Sequence, residues 1–420
     1  MEAQAQNIPQ IDAVYKAASV LNSVVRLTAL ELNARLSQKY GANIALKRED
    51  LQVVRSYKIR GAYNKISTLD TGMLNKGVVC ASAGNHAQGV AFSCNKLGVH
   101  ATIFMPVPTP KQKLDQVRFF GGAFVEVKLV GDTFDDAKDA ALDFSKINGA
   151  VFVPPFDDPK IIEGQGTVGL EILHQTLNPI DFLFLPIGGG GLSAGVSTVF
   201  KQLSPDTKII GIEPMGAAAM LESLKEGRPI TLTNISKFVD GAAVKRVGDL
   251  NFKICQANLS DVVLVEEGKI CESILELYSR DAIVLEPAGA LSIGALDQYA
   301  DQIKGKNVVC ILSGGNNDIT RMEEIKERAL LYAGLKHYFI VRFPQRAGAL
   351  KEFVGDVLGP NDDITHFEYT KKNTKEKGSA VVGIELQSKM DFEPLLDRIK
   401  EKGFFGDYLN DKSYLLNLLV

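Results

Sequence analysis

The chain has 420 residues, 45% of them hydrophobic and 23% charged, an ordinary globular composition with room for two or three domains. Its 47 Lys and Arg against 50 Asp and Glu leave a formal charge of −3, so nothing in the balance draws it to nucleic acid or to an anionic membrane. The five cysteines (Cys80, Cys94, Cys255, Cys271 and Cys310) lack CxxC spacing and point to free thiols in a reducing cytosol, not to a disulfide or zinc framework.

The first ten residues are polar, with no basic stretch leading into an apolar core, so no signal peptide is expected. The first segment with chemical character is Arg55-Ser56-Tyr57-Lys58-Ile59-Arg60-Gly61, which sets one lysine among mixed polar and apolar neighbours. From about residue 75 to 330, apolar runs alternate with segments of helical length. The runs at 78–80, 101–105, 124–127, 151–153, 182–187, 209–212 and 308–312 read as buried strands. The alternation predicts an α/β fold with parallel strands covered by helices. Ligands in such sheets sit beyond the carboxyl ends of the strands, which directs attention to the loops after Cys80, Ile187 and Leu312.

The first loop, Ser82-Ala83-Gly84-Asn85-His86-Ala87-Gln88-Gly89, lies between a strand and a helix. Its small residues allow close approach, and free N–H groups at the helix start attract an anion such as a carboxylate. A plain turn capped by Asn85 fits the same residues. His86 has no Asp or second His at a readable spacing, which argues against a general base. Further on, Gly164-Gln165-Gly166-Thr167-Val168-Gly169 matches GxGxxG. However, the preceding strand ends well before it, across a proline-rich loop, so glycines for close helix packing are the better reading.

The uncharged run 182–200 approaches the length of a membrane span, but it holds Pro186, several hydroxyl residues and Gly188-Gly189-Gly190-Gly191-Leu192. A buried strand, a glycine loop and a helix account for it. Successive backbone N–H groups in that loop make a phosphate cradle. No lysine follows as in a nucleotide P-loop. The third loop, Ser313-Gly314-Gly315-Asn316, is either a simple turn or a place for a ring nitrogen to meet Ser313. A lysine that forms a Schiff base, a phosphate cradle and a group for a pyridine nitrogen are together what pyridoxal phosphate requires. Lys58 completes that set.

Composition shifts near Leu335. Runs at 338–342, 364–369, 379–386 and 414–420 read as strands, and 347–358 and 392–402 as helices, the β-α-β-β-α-β order of a ferredoxin-like unit. It follows a helix around Glu323 to Tyr332 and holds none of the three loops.

With these motifs in order, the chain resembles the threonine dehydratases (threonine ammonia-lyases) of the fold-type II pyridoxal-phosphate enzymes. Ser56-Tyr57-Lys58-Ile59-Arg60-Gly61-Ala62 resembles the family's lysine motif. Ser82 to Gly89, Gly188 to Leu192, Asp240-Gly241-Ala242-Ala243-Val244-Lys245, Glu286-Pro287-Ala288-Gly289-Ala290 and Ser313 to Asn316 match further signatures. The likeness is dense over residues 10–330. The tail, with Phe343-Pro344-Gln345-Arg346-Ala347-Gly348-Ala349-Leu350, resembles the ACT-like regulatory domain of biosynthetic members, in one copy where some carry two.

The resemblance implies a catalytic domain of two open twisted α/β subdomains at 1–334 and an ACT-like α+β domain at 335–420. It implies that Lys58 forms the Schiff base, Asn85 bonds the ring hydroxyl, Gly188, Gly189, Gly190, Gly191 and Leu192 bind the phosphate, and Ser313 faces the pyridine nitrogen. Tyr57 would stack near the ring, while Ser82, Ala83, Gly84, Asn85 and His86 would hold the substrate carboxylate. The implied reaction is deamination of L-threonine, with L-serine secondary, to a 2-oxo acid and ammonia, as the first committed step of isoleucine synthesis. Isoleucine would inhibit and valine oppose it, in a cytoplasmic homo-oligomer, a tetramer ahead of a dimer. Serine racemases carry a serine where this chain has Ala83, so racemisation should be minor. Their metal site uses an acid soon after a Glu-Pro; here Glu213-Pro214 is followed by no carboxylate through Met220, and no metal is expected. The competing expectations are a catabolic dehydratase without isoleucine control and a non-catalytic amino-acid- or nucleotide-binding protein.

Overall fold

The computed structural model describes residues 8–369 and 377–416. Contacts divide the chain into two units that meet at Asp318 and Ile319. The first unit holds β1 (Leu30–Leu32), β2 (Asn43–Arg48), β3 (Val78–Ala81), β4 (Ala101–Met105), β5 (Val125–Leu129), β6 (Val151–Phe152), β7 (Phe182–Pro186), β8 (Lys208–Pro214), β9 (Asp261–Val265) and β10 (Asn307–Leu312). They form a six-stranded sheet in the order β1-β2-β10-β7-β8-β9 and a four-stranded sheet in the order β5-β4-β3-β6. Apart from the antiparallel edge strand β1, every pairing is parallel. The parallel strands are those of the α/β fold that the alternation predicts, and the two sheets are the two subdomains that the resemblance implies.

The central strands are apolar without interruption because helices cover both faces. All of β7, Phe-Leu-Phe-Leu-Pro, is buried. The larger sheet shares a core with the helices Gly191–Leu203 and Asp249–Asn258, built around Leu183, Leu185, Ile187, Phe200 and Phe252. The smaller sheet packs Val78, Cys80 and Ile103 against Val90 and Ala91 of the helix Asn85–Leu97. Among the described residues no helix is long and apolar enough to cross a membrane. The uncharged run near 182–200 is β7, a glycine loop and the helix Gly191–Leu203. All five cysteines are free and buried.

The GxGxxG segment lies inside the helix Pro159–Gln175, which Asp158 caps by accepting from Lys160 N and Ile161 N. Its glycines let backbones touch. A Cβ at Gly164 would stand 2.5 Å from Arg60 O, and one at Gly195 on the next helix would stand 2.4 Å from Ile162 O. Close helix packing, not dinucleotide binding, accounts for the motif.

The second unit is an antiparallel sheet of β11 (Lys336–Pro344), β12 (Asp363–Tyr369), β13 (Lys377–Glu385) and β14 (Phe405–Tyr408) in the order β12-β13-β11-β14. Helices Ala349–Asp356 and Phe392–Glu401 enclose its core through Phe353, Leu395 and Ile399. The fourth strand corrects the sequence reading. Residues 414–416 lie in the helical turn Ser413–Leu416, 417–420 lie outside the described residues, and the sheet is completed by β14. The Gly406-Asp407 pair disguises β14 as a loop. The helix Met322–Tyr332 belongs with this unit, since Glu327 accepts from Tyr338 Oη at 2.6 Å and pairs with Lys336 at 3.4 Å.

Candidate active site

Three loops converge where the sheet strands of the first unit end. Lys58 opens the helix Lys58–Ser67, which packs against Asn85–Leu97 and Pro159–Gln175. It is half-buried, and its Nζ donates to Pro155 O at 2.8 Å and lies 5.4 Å from the Tyr57 ring centroid. Burial pushes its amine down to about 8, with the charge of Glu286 pulling the other way. The approach is fixed by backbone. Arg55, at φ 56°, turns the chain through the left-handed region, which a non-glycine residue adopts only at about 1–3 kcal/mol. Its carbonyl accepts from Gly315 N at 2.9 Å, Ser56 bridges Gly314, and Tyr57 N donates to Ser313 O at 3.3 Å. The lysine loop and the loop after β10 are thus stitched together.

The glycine loop is held just as closely. Phe156, next to the lysine's carbonyl partner, fills the space that a Cβ would need: one at Gly189 would stand 2.2 Å from its ring and one at Gly191 would stand 3.0 Å from its Cβ. Gly190 has φ +90°, Ala242 of the Asp240–Lys245 motif abuts Gly188, and Asn251 Nδ2 donates to Gly189 O at 2.8 Å. The helix Gly191–Leu203 begins at the loop, so its first N–H groups are available to an anion. The Leu192 side chain is buried in the core, leaving only its backbone for a ligand.

Asn85 is the first residue of its helix rather than the cap, a place Gly84 takes. The loop before it is open: nothing lies within 4 Å of a Cβ built on Gly84, and Ser82 Oγ accepts from Gly84 N at 3.2 Å. Ala83 is half-buried beside them. The His86 ring turns away, its Nε2 donating to Val153 O at 2.9 Å. Burial, with repulsion from Lys58, pushes the imidazole down to about 3, so it is neutral and only its backbone faces the loop. Ser313 is buried, and its hydroxyl donates to Ala288 O over a long 3.3 Å, a weak hold that leaves it able to re-aim. Tyr57, packed against the large core, has its hydroxyl pKa raised by burial and stays neutral.

A profile of pyridoxal-phosphate dependent enzymes matches residues 21–314, and one of the C-terminal regulatory domain of threonine dehydratase matches 327–419. The chain is 58% identical to the L-threonine dehydratase biosynthetic IlvA of Halalkalibacterium halodurans, over 98% of this chain and 99% of that one. It is 56% identical to the protein of the same name from Bacillus subtilis, over 98% and 97%. The chain belongs to the biosynthetic threonine dehydratases. Among solved structures, the processed threonine deaminase isoform 2 of Solanum lycopersicum aligns with a TM-score of 0.72 at 44% identity, covering 77% of this chain and 91% of that one.

The residues present fit the pyridoxal phosphate of this family. The glycine loop leaves no room for a Cβ at Gly189, which keeps its backbone bare toward a ligand. Lys58 has the lowered pKa that a Schiff-base lysine needs, and Ser313, after β10 of one sheet, and Asn85, after β3 of the other, lie on loops joined by Asn316 Nδ2 donating to Asn85 Oδ1 at 2.7 Å. The sequence pointed to these residues but not to those that support them. Phe156 and Asn251 carry no motif signal. Glu213 carries one only as a metal candidate. Its carboxyl is spent on the helix Ala219–Glu226, accepting from Met220 N at 2.7 Å and Leu221 N at 2.9 Å, and burial pushes it up to about 8.

Proposed function

We propose that this chain converts L-threonine to 2-oxobutanoate and ammonia as the committed step toward isoleucine, and that isoleucine inhibits it through the C-terminal unit. The observation that carries the reading is Lys58: a half-buried amine near pKa 8, held at Pro155 beside the Phe156-backed glycine loop.

When bound, pyridoxal phosphate supplies an aldehyde for the substrate amine and a ring that draws electron density from Cα. The first N–H groups of Gly191–Leu203 and the glycine loop hold its phosphate. The Ser82–His86 loop and the helix start at Asn85 take the substrate carboxylate. Lys58 would accept the Cα proton; an amine near pKa 8 does this at neutral pH and can return the proton to the departing hydroxyl. With that proton the β-hydroxyl would leave as water, and hydrolysis of the resulting enamine would give the 2-oxo acid and ammonia. Ser313 would face the ring nitrogen as a neutral hydroxyl, which offers no charge to hold a proton there. Ala83 has no proton to offer on the opposite face, which supports elimination over racemisation. The free, buried thiols support a cytoplasmic location.

The test is 2-oxobutanoate release from L-threonine by the full chain with pyridoxal phosphate, with and without L-isoleucine. Release suppressed by isoleucine is expected. Release indifferent to isoleucine removes the regulatory half of the proposal, and no release removes the whole.

A further inference from the structure

Glu286 enters the reading above only through its charge, which favours protonated Lys58, yet it also lies against Asn85. It is buried, and its Oε1 accepts from Asn85 Nδ2 at 2.6 Å. The approach depends on bare backbone around it. A Cβ at Gly314 would stand 2.4 Å from that oxygen and 3.3 Å from Asn85 Nδ2, and one at Gly241 would stand 3.4 Å from the same oxygen. Glu286 is itself anchored by its N–H to Gly314 O at 3.2 Å.

The other side of the Asn85 amide is held as well. Asn316 Nδ2 donates to Val54 O at 2.9 Å and to Asn85 Oδ1 at 2.7 Å. A backbone carbonyl only accepts, so Val54 fixes which end of the Asn316 amide is nitrogen. Asn316 then fixes which end of Asn85 is oxygen, and the Asn85 nitrogen is left facing the Glu286 carboxylate. Turning the Asn85 amide over would set N–H against N–H at Asn316 and oxygen against oxygen at Glu286. The network therefore selects one orientation and spends one of the two amide hydrogens of Asn85.

We infer that Glu286 is the positioning residue of Asn85, acting with Asn316 to aim the remaining amide N–H at the ring oxygen of the cofactor. The inference rests on the proposal that Asn85 meets that oxygen. What Glu286 supplies is an acceptor at a fixed point, so glutamine, an acceptor of the same shape, can replace it and alanine cannot.

The experiment reconstitutes the full apo chain with pyridoxal phosphate and measures its dissociation constant and the position of its visible absorption band. The proteins are wild type, Glu286→Ala, Glu286→Gln, Asn85→Ala and the Glu286→Ala/Asn85→Ala double variant, with a thermal melt of each. Loss of a charge-assisted hydrogen bond predicts that Glu286→Ala weakens the cofactor about tenfold and moves the band as Asn85→Ala does. Glu286→Gln should stay within about threefold of wild type, and the double variant should be no weaker than Asn85→Ala, because both changes break one chain of contacts. If Asn85→Ala changes affinity and band while Glu286→Ala changes neither, or if the two losses multiply, the inference is overturned and the role of Asn85 stands. If Asn85→Ala itself changes neither, the role of Asn85 falls and takes the inference with it.

Discussion

Arg60 and Glu49 meet in a two-pronged pair that water does not reach: Nε to Oε2 and Nη2 to Oε1 are both 2.8 Å, and neither side chain has any exposed surface. Glu171 accepts from Arg60 at 2.6 Å and from Lys47 at 2.5 Å, so two cations and two anions share the interior two residues beyond Lys58. Such a cluster is held by geometry, since each charge left alone would be far costlier than the pair.

Breaking one partner should therefore be severe. Arg60→Ala or Glu49→Ala is expected to lower unfolding stability by about 3–5 kcal/mol in denaturant titration. A loss under about 1 kcal/mol would show that water enters the cluster freely. Burial alone would raise the Glu49 carboxyl, but the charge and hydrogen bonds of Arg60 overcome it and hold the group below the usual range. The sign follows. This stabilisation is complete above the unfolded value of about 4.3 and is lost as pH falls through the lower folded value. Glu49→Gln should flatten that part of the acid unfolding curve.

Lys58 attacks the cofactor only as the free amine. The rate of covalent capture by the apo chain, followed by absorbance, should rise with pH through a midpoint near 8 and level off above it. Removing the carboxylate that favours its charged form, by Glu286→Gln, should move that midpoint to lower pH. A midpoint in the ordinary lysine range, near 10.4, would contradict the buried setting. Lys58→Ala should reduce threonine turnover by about a thousandfold or more.

The glycine loop tolerates no side chain where Phe156 lies. Gly189→Ala should raise the dissociation constant of pyridoxal phosphate at least about tenfold, because relieving the overlap takes 1.4 kcal/mol or more. Wild-type affinity in this variant would mean that the loop does not depend on Phe156.

The helix glycines test a different claim. Gly164→Ala and Gly195→Ala each drive a methyl group into a facing backbone carbonyl and should each destabilise the chain by about 1–3 kcal/mol. Their effect on cofactor affinity should be small beside that of Gly189→Ala. The reverse ranking would return the Gly164–Gly169 motif to ligand binding.

Most parallel strands were legible because burial on both faces writes them as plain apolar runs, β7 and β10 being the clearest cases; the edge strand β9, only partly buried, was missed. Strand β2 was hidden because it ends in Lys47 and Arg48, which read as surface residues until their buried partners are seen. The lysine and the loops could be found because each chemistry demands particular residue types next to one another. Phe156 and Asn251 could not, since they act across long stretches of chain and their own neighbours in sequence say nothing of the glycine loop; Glu286 stood in a matched motif, but nothing beside it in sequence says that it meets Asn85. The end of the chain misled for a simpler reason: 414–420 is more apolar than the strand β14 that fills the sheet.

The stitching of Arg55, Ser56 and Tyr57 to Ser313, Gly314 and Gly315 sets an order of events during synthesis. Strand β2 pairs with the edge strand β1 on one side but finds its parallel partner only in β10, so the lysine made early waits for a segment made much later. A ribosome must deliver nearly all of the first unit before the reactive amine has its surroundings. Nascent chains cut short before residue 316 should therefore emerge colourless in the presence of the cofactor, because until the site closes Lys58 is an ordinary lysine, protonated at neutral pH.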